Sequence, residues 1–97
     1  MVNDDDRFEW DLAKAEANRL KHRVDFSTAS GVFGDPFGIE AFDPRHHGED
    51  RFLLTGMVGG VLLTVVYTER RDRLRIISAR RATKDEHDDY YRQNSQE

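Results

Sequence analysis

A chain of 97 residues holds one domain, and folding at this length buries only about 60 to 65 per cent of the surface exposed when unfolded, so stability is modest. The absence of cysteine excludes a disulfide framework, a thiolate zinc site and a cysteine nucleophile, and suits a reducing cytoplasm. The net charge of −4 argues against a uniformly basic surface, yet residues 67–84 carry seven cationic side chains against Glu69 and Asp72, a local +5, while residues 35–50 and 85–97 are each −4. A polyanion responds to the local patch rather than to the sum. The longest apolar run, Met57 to Tyr67, is broken by Gly59, Gly60 and Thr64 and falls short of the ~20 residues that span a bilayer. The acidic start, Asn3 to Asp6, lacks the basic and apolar segments of a secretory signal.

Residues 1–7 are polar and are expected to form a frayed end, as are residues 93–97, which leaves a single domain over 8–92. Phe8-Glu9-Trp10 alternates as a short strand does. Asp11 can cap a following helix, in which Ala13, Ala17 and Leu20 form an apolar stripe and Lys14, Glu16, Arg19 and Lys21 the polar face. That helix is expected to end near His22, and a shorter one, capped by Asp25 or Ser27, to bury Ala29, Val32 and Phe33. Gly34-Asp35-Pro36 stops it. Phe37 to Phe42 reads as a short edge strand, Asp43 to Asp50 as a polar loop, and Arg51 to Val58 as a strand. Gly59-Gly60 is a hairpin signal, because both central turn positions can take positive φ. Val61 to Thr68 forms the second arm, and a polar turn leads to a strand rich in arginine, Arg73, Arg75, Arg80 and Arg81. Thr83 and Glu86 then make a capping box for a last helix, in which Asp88 and Arg92 are spaced to pair.

The run VLLTVVYT is apolar on both alternating faces, which predicts a sheet covered on both sides. Two N-terminal helices can cover one face and the C-terminal helix part of the other. Any remainder calls for a partner chain.

This order of elements, with FEWDLAKAEANRLKH at the front, EDRFLLTG in the middle and LLTVVYTER followed by RLRIISARRATKDE, resembles the BrnT family of toxins from bacterial type II toxin–antitoxin modules. The resemblance covers Phe8 to Tyr91, and RIISARRAT after VVYTER is its specific part. It implies an α+β fold similar to RelE toxins, with two N-terminal helices and a C-terminal helix packed on one antiparallel sheet. It further implies a cytoplasmic ribonuclease that needs no metal or other cofactor, cleaves RNA and arrests translation. Its implied partner is a BrnA-type antitoxin, in a heterotetramer whose antitoxin part alone contacts operator DNA, with no membrane involved. Where the family shows glycine after Lys-His and after Glu-Arg, this chain has Arg23 and Arg71, and a left-handed backbone without glycine costs about 1 kcal/mol.

RNA can be cut by attack of its own 2′-hydroxyl on the neighbouring phosphate, given a base, an acid and cations for the added charge. Arg80 and Arg70 are the candidates for phosphate stabilisation, with Arg75 and Arg81 for holding the strand, because planar guanidinium matches phosphate oxygens. Arg75 and Arg81 share one strand parity and Arg80 the other, so a regular strand cannot aim all three the same way; a salt bridge to Glu69, Asp72 or the last helix is the competing use. Lys21 and His22 are candidate proton carriers, or simply cations at the negative end of a helix dipole. Glu49 with Arg51 can act as a base and its orienting partner, or be an ordinary surface ion pair. Tyr67 can stack on a base or pack with a wet hydroxyl. His46-His47 has no third metal ligand at useful spacing, so no metal is expected. The alternative function is a non-catalytic partner of a DNA-binding chain in operon repression.

Overall fold

The computed structural model describes residues 7–45 and 48–95. The chain runs β1 (Phe8–Glu9), α1 (Leu12–His22), α2 (Phe26–Ala29), a 3₁₀ turn (Ser30–Gly34), β2 (Ile39–Asp43), β3 (Arg51–Val58), β4 (Val61–Arg70), β5 (Arg73–Arg81) and α3 (Lys84–Gln93). The flexible end expected over residues 1–7 lies, but for Arg7, outside the described residues; of the one expected over 93–97, residues 93–95 are described and Gln93 still belongs to α3.

One five-stranded sheet has the order β1-β5-β4-β3-β2. Gly59 and Gly60, at φ of +56° and +84°, close the β3–β4 hairpin as their sequence requires. The sheet is mixed, not antiparallel throughout, because β1 lies parallel to β5 with Phe8 opposite Leu74. That pairing joins the first element to the last strand, so no turn announces it; what fixes it is the burial of Phe8 and Trp10 in the core and the bond from the Leu74 N–H to the Arg7 carbonyl at 2.8 Å.

Helices α1 and α2 and the 3₁₀ turn cover one face. Phe8, Trp10, Val24, Phe26, Ala29 and Val32 meet Leu63, Val65, Tyr67, Ile76 and Ala79 there. Each large buried side chain contributes about 1.5–3 kcal/mol. Gly56 eases this contact, since a Cβ there would stand a tight 3.1 Å from the Val32 Cβ and carbonyl oxygen.

Helix α1 presents a different side from the one its apolar stripe predicted. Leu20 is 66 % exposed and Ala13 and Ala17 face water, while Ala15 and Asn18 turn inward. The reason lies at the free edge of β5: beyond the two-residue β1, Ala79 has no neighbouring strand. Asn18 takes that place, donating to the Ala79 carbonyl at 2.8 Å and to the Val24 carbonyl at 3.1 Å, and accepting the Ala79 N–H at 3.1 Å. A buried polar side chain thus outranks three apolar ones, because an unpaired backbone group in the core costs more than exposing alanine.

Helix α1 is capped by Asp11, which accepts from Ala13 and Lys14, and ends in Arg23 at φ 61°, ψ 33°. Arg71 in the β4–β5 turn has φ 60°, and these are the two non-glycine residues with positive φ among those described. Both are positions at which the resemblance implied glycine. Asp25 occupies the N-cap position of α2 but its side chain makes no capping bond. In α3 the capping box is complete, whereas the expected Asp88–Arg92 pair gives way to Lys84–Asp88 at 2.9 Å and Arg92–Asp89 at 2.8 Å.

Candidate active site on the open sheet face

The second face of the sheet is only partly covered. Counting in twos along β4, Thr64, Val66, Thr68 and Arg70 point away from the helices, and their partners on β5 are Arg80, Ser78, Arg75 and Arg73. Arg75 and Arg80 differ in sequence parity yet share this face, because a bulge between Val66 and Tyr67 inserts an extra β5 residue and reverses the alternation. The corresponding β3 positions are Arg51, Leu53, Thr55 and Met57.

Helix α3 lies over one end of this face and is held mainly by polar pins. Asp35 accepts the Tyr90 hydroxyl at 2.7 Å and the Met57 N–H at 2.8 Å. Burial alone would raise the Asp35 carboxyl, but these bonds keep it below its usual range. Asn94 adds a bond to the Phe37 carbonyl at 3.1 Å.

Arg80 sits at the edge of the covered part. Its two Nη atoms grip Glu86, at 2.7 Å to Oε1 and 3.0 Å to Oε2. Glu86 also accepts the Thr64 hydroxyl at 2.9 Å and the Thr83 N–H at 2.8 Å. Because Thr64 donates to Glu86, the 2.7 Å contact between Thr55 and Thr64 must be donated by Thr55. Burial pushes the Glu86 carboxyl up, but the bonds from Arg80, the Thr83 N–H and Thr64 outweigh it and hold its pKa at about 2. The Arg80 pKa is raised by its bond to Glu86, with burial and the nearby charge of Arg45 acting against it. The Glu86 contact uses the end of the guanidinium, and the weaker bond to the Arg81 carbonyl uses Nη1. The neighbouring edge, Nε–H with the second Nη2–H, has no partner among the described residues.

At the β2–β3 end Glu49 meets Arg51 at 3.3 Å, and Asp43 meets Arg45 at 3.0 Å. The bonds from Arg45 hold the Asp43 carboxyl below its usual range, with the Arg51 charge helping.

Five of the other candidates lie elsewhere. Arg70 stands six residues along β4 from Thr64, the partner of Arg80, a separation of about 20 Å at ~3.3 Å per residue, so Arg70 and Arg80 do not flank one phosphate. Arg81, opposite Leu63, faces the helix side beside Arg23 and Thr28. Tyr67 is buried in the core, its ring against Phe33 and Phe52, and its hydroxyl bonds Glu40, with burial first and that bond second raising its pKa. Lys21 and His22 end α1, on the helix-covered side. Arg75 remains on the open face, paired with Glu9 at 3.1 Å. Glu86 was legible only as a cap, and Thr64 only as part of a strand. The signal that could have found both is the spacing Arg80…Glu86, which returns a helix-capping carboxylate to the strand it has just left.

The metal possibility at His46-His47 lies outside the described residues, and among those described no group of three His, Asp or Glu side chains forms a metal site. No helix among the described residues is long and apolar enough to cross a membrane. A comparison with curated proteins returns no match. The family of ribonuclease toxins called BrnT, from type II toxin–antitoxin systems, matches residues 10–86, a stretch that holds the arginine strand, its bulge and the Arg80–Glu86 pair, and the chain belongs to that family.

Proposed function

We propose that the chain is a metal-independent endoribonuclease with a RelE-like arrangement, acting in the cytoplasm to arrest translation and neutralised by a BrnA-type antitoxin in a heterotetramer. The observation that carries this is Arg80: its end is fixed by Glu86 while its Nε edge stays open on the uncovered face. A guanidinium held in this way presents two N–H groups to a phosphate without having to be ordered first.

The pKa of about 2 decides the role of Glu86. So weak a base cannot take the proton of a 2′-hydroxyl, so Glu86 positions Arg80 rather than acting as the base. Attack of the 2′-oxygen on phosphorus breaks the bond to the 5′-oxygen, the 2′-hydroxyl proton passing to water and the leaving oxygen taking a proton from water, and gives a 2′,3′-cyclic phosphate and a 5′-hydroxyl end.

A second reading, a non-catalytic partner of a DNA-binding chain, draws on the same pair, since two of the five Arg80 N–H groups are already engaged by Glu86. Incubating purified protein with single-stranded RNA in EDTA, beside Arg80→Ala, separates the two. Cleavage by the parent alone, with cyclic or 3′-phosphate ends, is the expected result, and Arg80→Ala should lose about 10²–10³-fold in rate. If neither free RNA nor RNA on translating ribosomes is cut, the enzyme reading fails.

A further inference from the structure

The β4–β5 turn carries a second cationic feature, a cleft of about 600 Å³ lined by Arg70, Arg71, Arg73 and Arg75 with Glu9 and Asp72. Its floor is the half-buried Arg75–Glu9 pair. The side chains of Arg70, Arg71 and Arg73 make no hydrogen bond or ion pair among the described residues. Four guanidinium groups against two carboxylates leave the cleft positive in a chain that is negative as a whole.

Two further facts bear on what it holds. The bulge between Val66 and Tyr67 turns Arg73 and Arg75 to the open face that carries Arg80. Arg75, the lining residue nearest Arg80, is five residues from it on β5, so the cleft begins about 17 Å from Arg80 on the same face of the sheet, a distance of several nucleotides. In addition, Arg71 holds a left-handed backbone, φ 60°, that glycine would adopt without strain. A charged side chain kept at a strained position is an observation that calls for a use of the charge.

We propose that this cleft is a second phosphate subsite, in which Arg70, Arg71 and Arg73 hold the backbone of a single RNA strand that reaches Arg80 at its other end. The inference rests on the reading of RNA as the substrate. It assigns Arg70 to strand holding rather than to the reacting phosphate, and adds Arg71 and Arg73 to the binding surface. Because the contacts are to phosphates, they extend the footprint without selecting a base sequence.

The test uses an RNA whose 2′-oxygens are methylated, so that it binds but cannot be cut. Its affinity for the parent chain, Arg71→Gly and the double variant Arg71→Gly/Arg73→Gln is measured by fluorescence anisotropy over a salt series. The double variant should bind about tenfold more weakly, and its slope of log affinity against log salt should fall by about 1.4, from two lost phosphate contacts at ~0.7 each. Arg71→Gly should lose affinity while its melting temperature stays level or rises, which rules out unfolding as the cause. Unchanged affinity and slope in both variants overturns the subsite, even where the parent cuts ordinary RNA. Failure of the parent to bind the methylated RNA overturns it too. Loss of binding in the variants, with no cutting by the parent of ordinary RNA either free or on translating ribosomes, upholds the subsite and defeats the catalytic reading instead.

Discussion

Replacing Glu86 by glutamine tests the centre of the proposed site. The substitution keeps the shape of the side chain and one acceptor for the Thr83 N–H, but removes the charge that Arg80 grips. Holding a carboxyl at about 2 instead of 4.5 corresponds to about 3 kcal/mol of stability at neutral pH. The Glu86 side chain is 23 % exposed, so water screens the contact and about 1 to 2 kcal/mol is the fitting figure. In a domain of this size that lowers the melting temperature by about 5 to 15 °C. The sign of the pH dependence follows from the depressed pKa. The contribution is complete above pH 4.5 and is lost as pH falls from 4.5 towards 2, whereas glutamine does not titrate. Urea unfolding of both proteins between pH 7 and pH 3 should therefore show a stability gap that is largest at neutral pH and narrows below pH 4.5. A gap that is constant across this range, or no gap at pH 7, would refute the reasoning. The same variant should cut RNA more slowly than its residual stability explains, because Arg80 loses its anchor.

Asn18→Ala leaves the Ala79 N–H and two carbonyls without their partner, and should cost about 2–4 kcal/mol in chemical denaturation. Arg23→Gly relieves a left-handed residue with no change of fold and should raise stability by about 1 kcal/mol, read as a higher melting temperature. Tyr67→Phe removes one hydroxyl bonded to Glu40 on the helix-covered face and should cost about 1 kcal/mol while RNA affinity stays at the parent value; a large loss of affinity would return Tyr67 to the binding surface.

Much of this protein was determined by its sequence alone, wherever a local rule was sufficient. Gly59-Gly60 dictated the hairpin, Thr83 and Glu86 the start of the last helix, and the two-sided apolar character of VLLTVVYT a sheet with helices on both faces, of which α3 covers only part of the second. The family motif RIISARRAT likewise lies within local sequence. The left-handed backbones of Arg23 and Arg71 were legible too, since a position that closes a helix or a turn keeps its geometry when glycine is replaced. What escaped was whatever depends on residues far apart in the chain. Pairing of β1 with β5 needs the finished core, and the inward turn of Asn18 follows from an edge that only the sheet order leaves bare. The bulge at Val66/Tyr67 overturns the alternation by which Arg75 and Arg80 would have faced apart. Period-two reasoning holds only while every residue is paired, and one unpaired residue moves a whole row of arginines to the other face. Tertiary structure also gave Glu86 its second use, because a capping carboxylate meets Arg80 and Thr64 only when α3 folds back over the strand that leads into it.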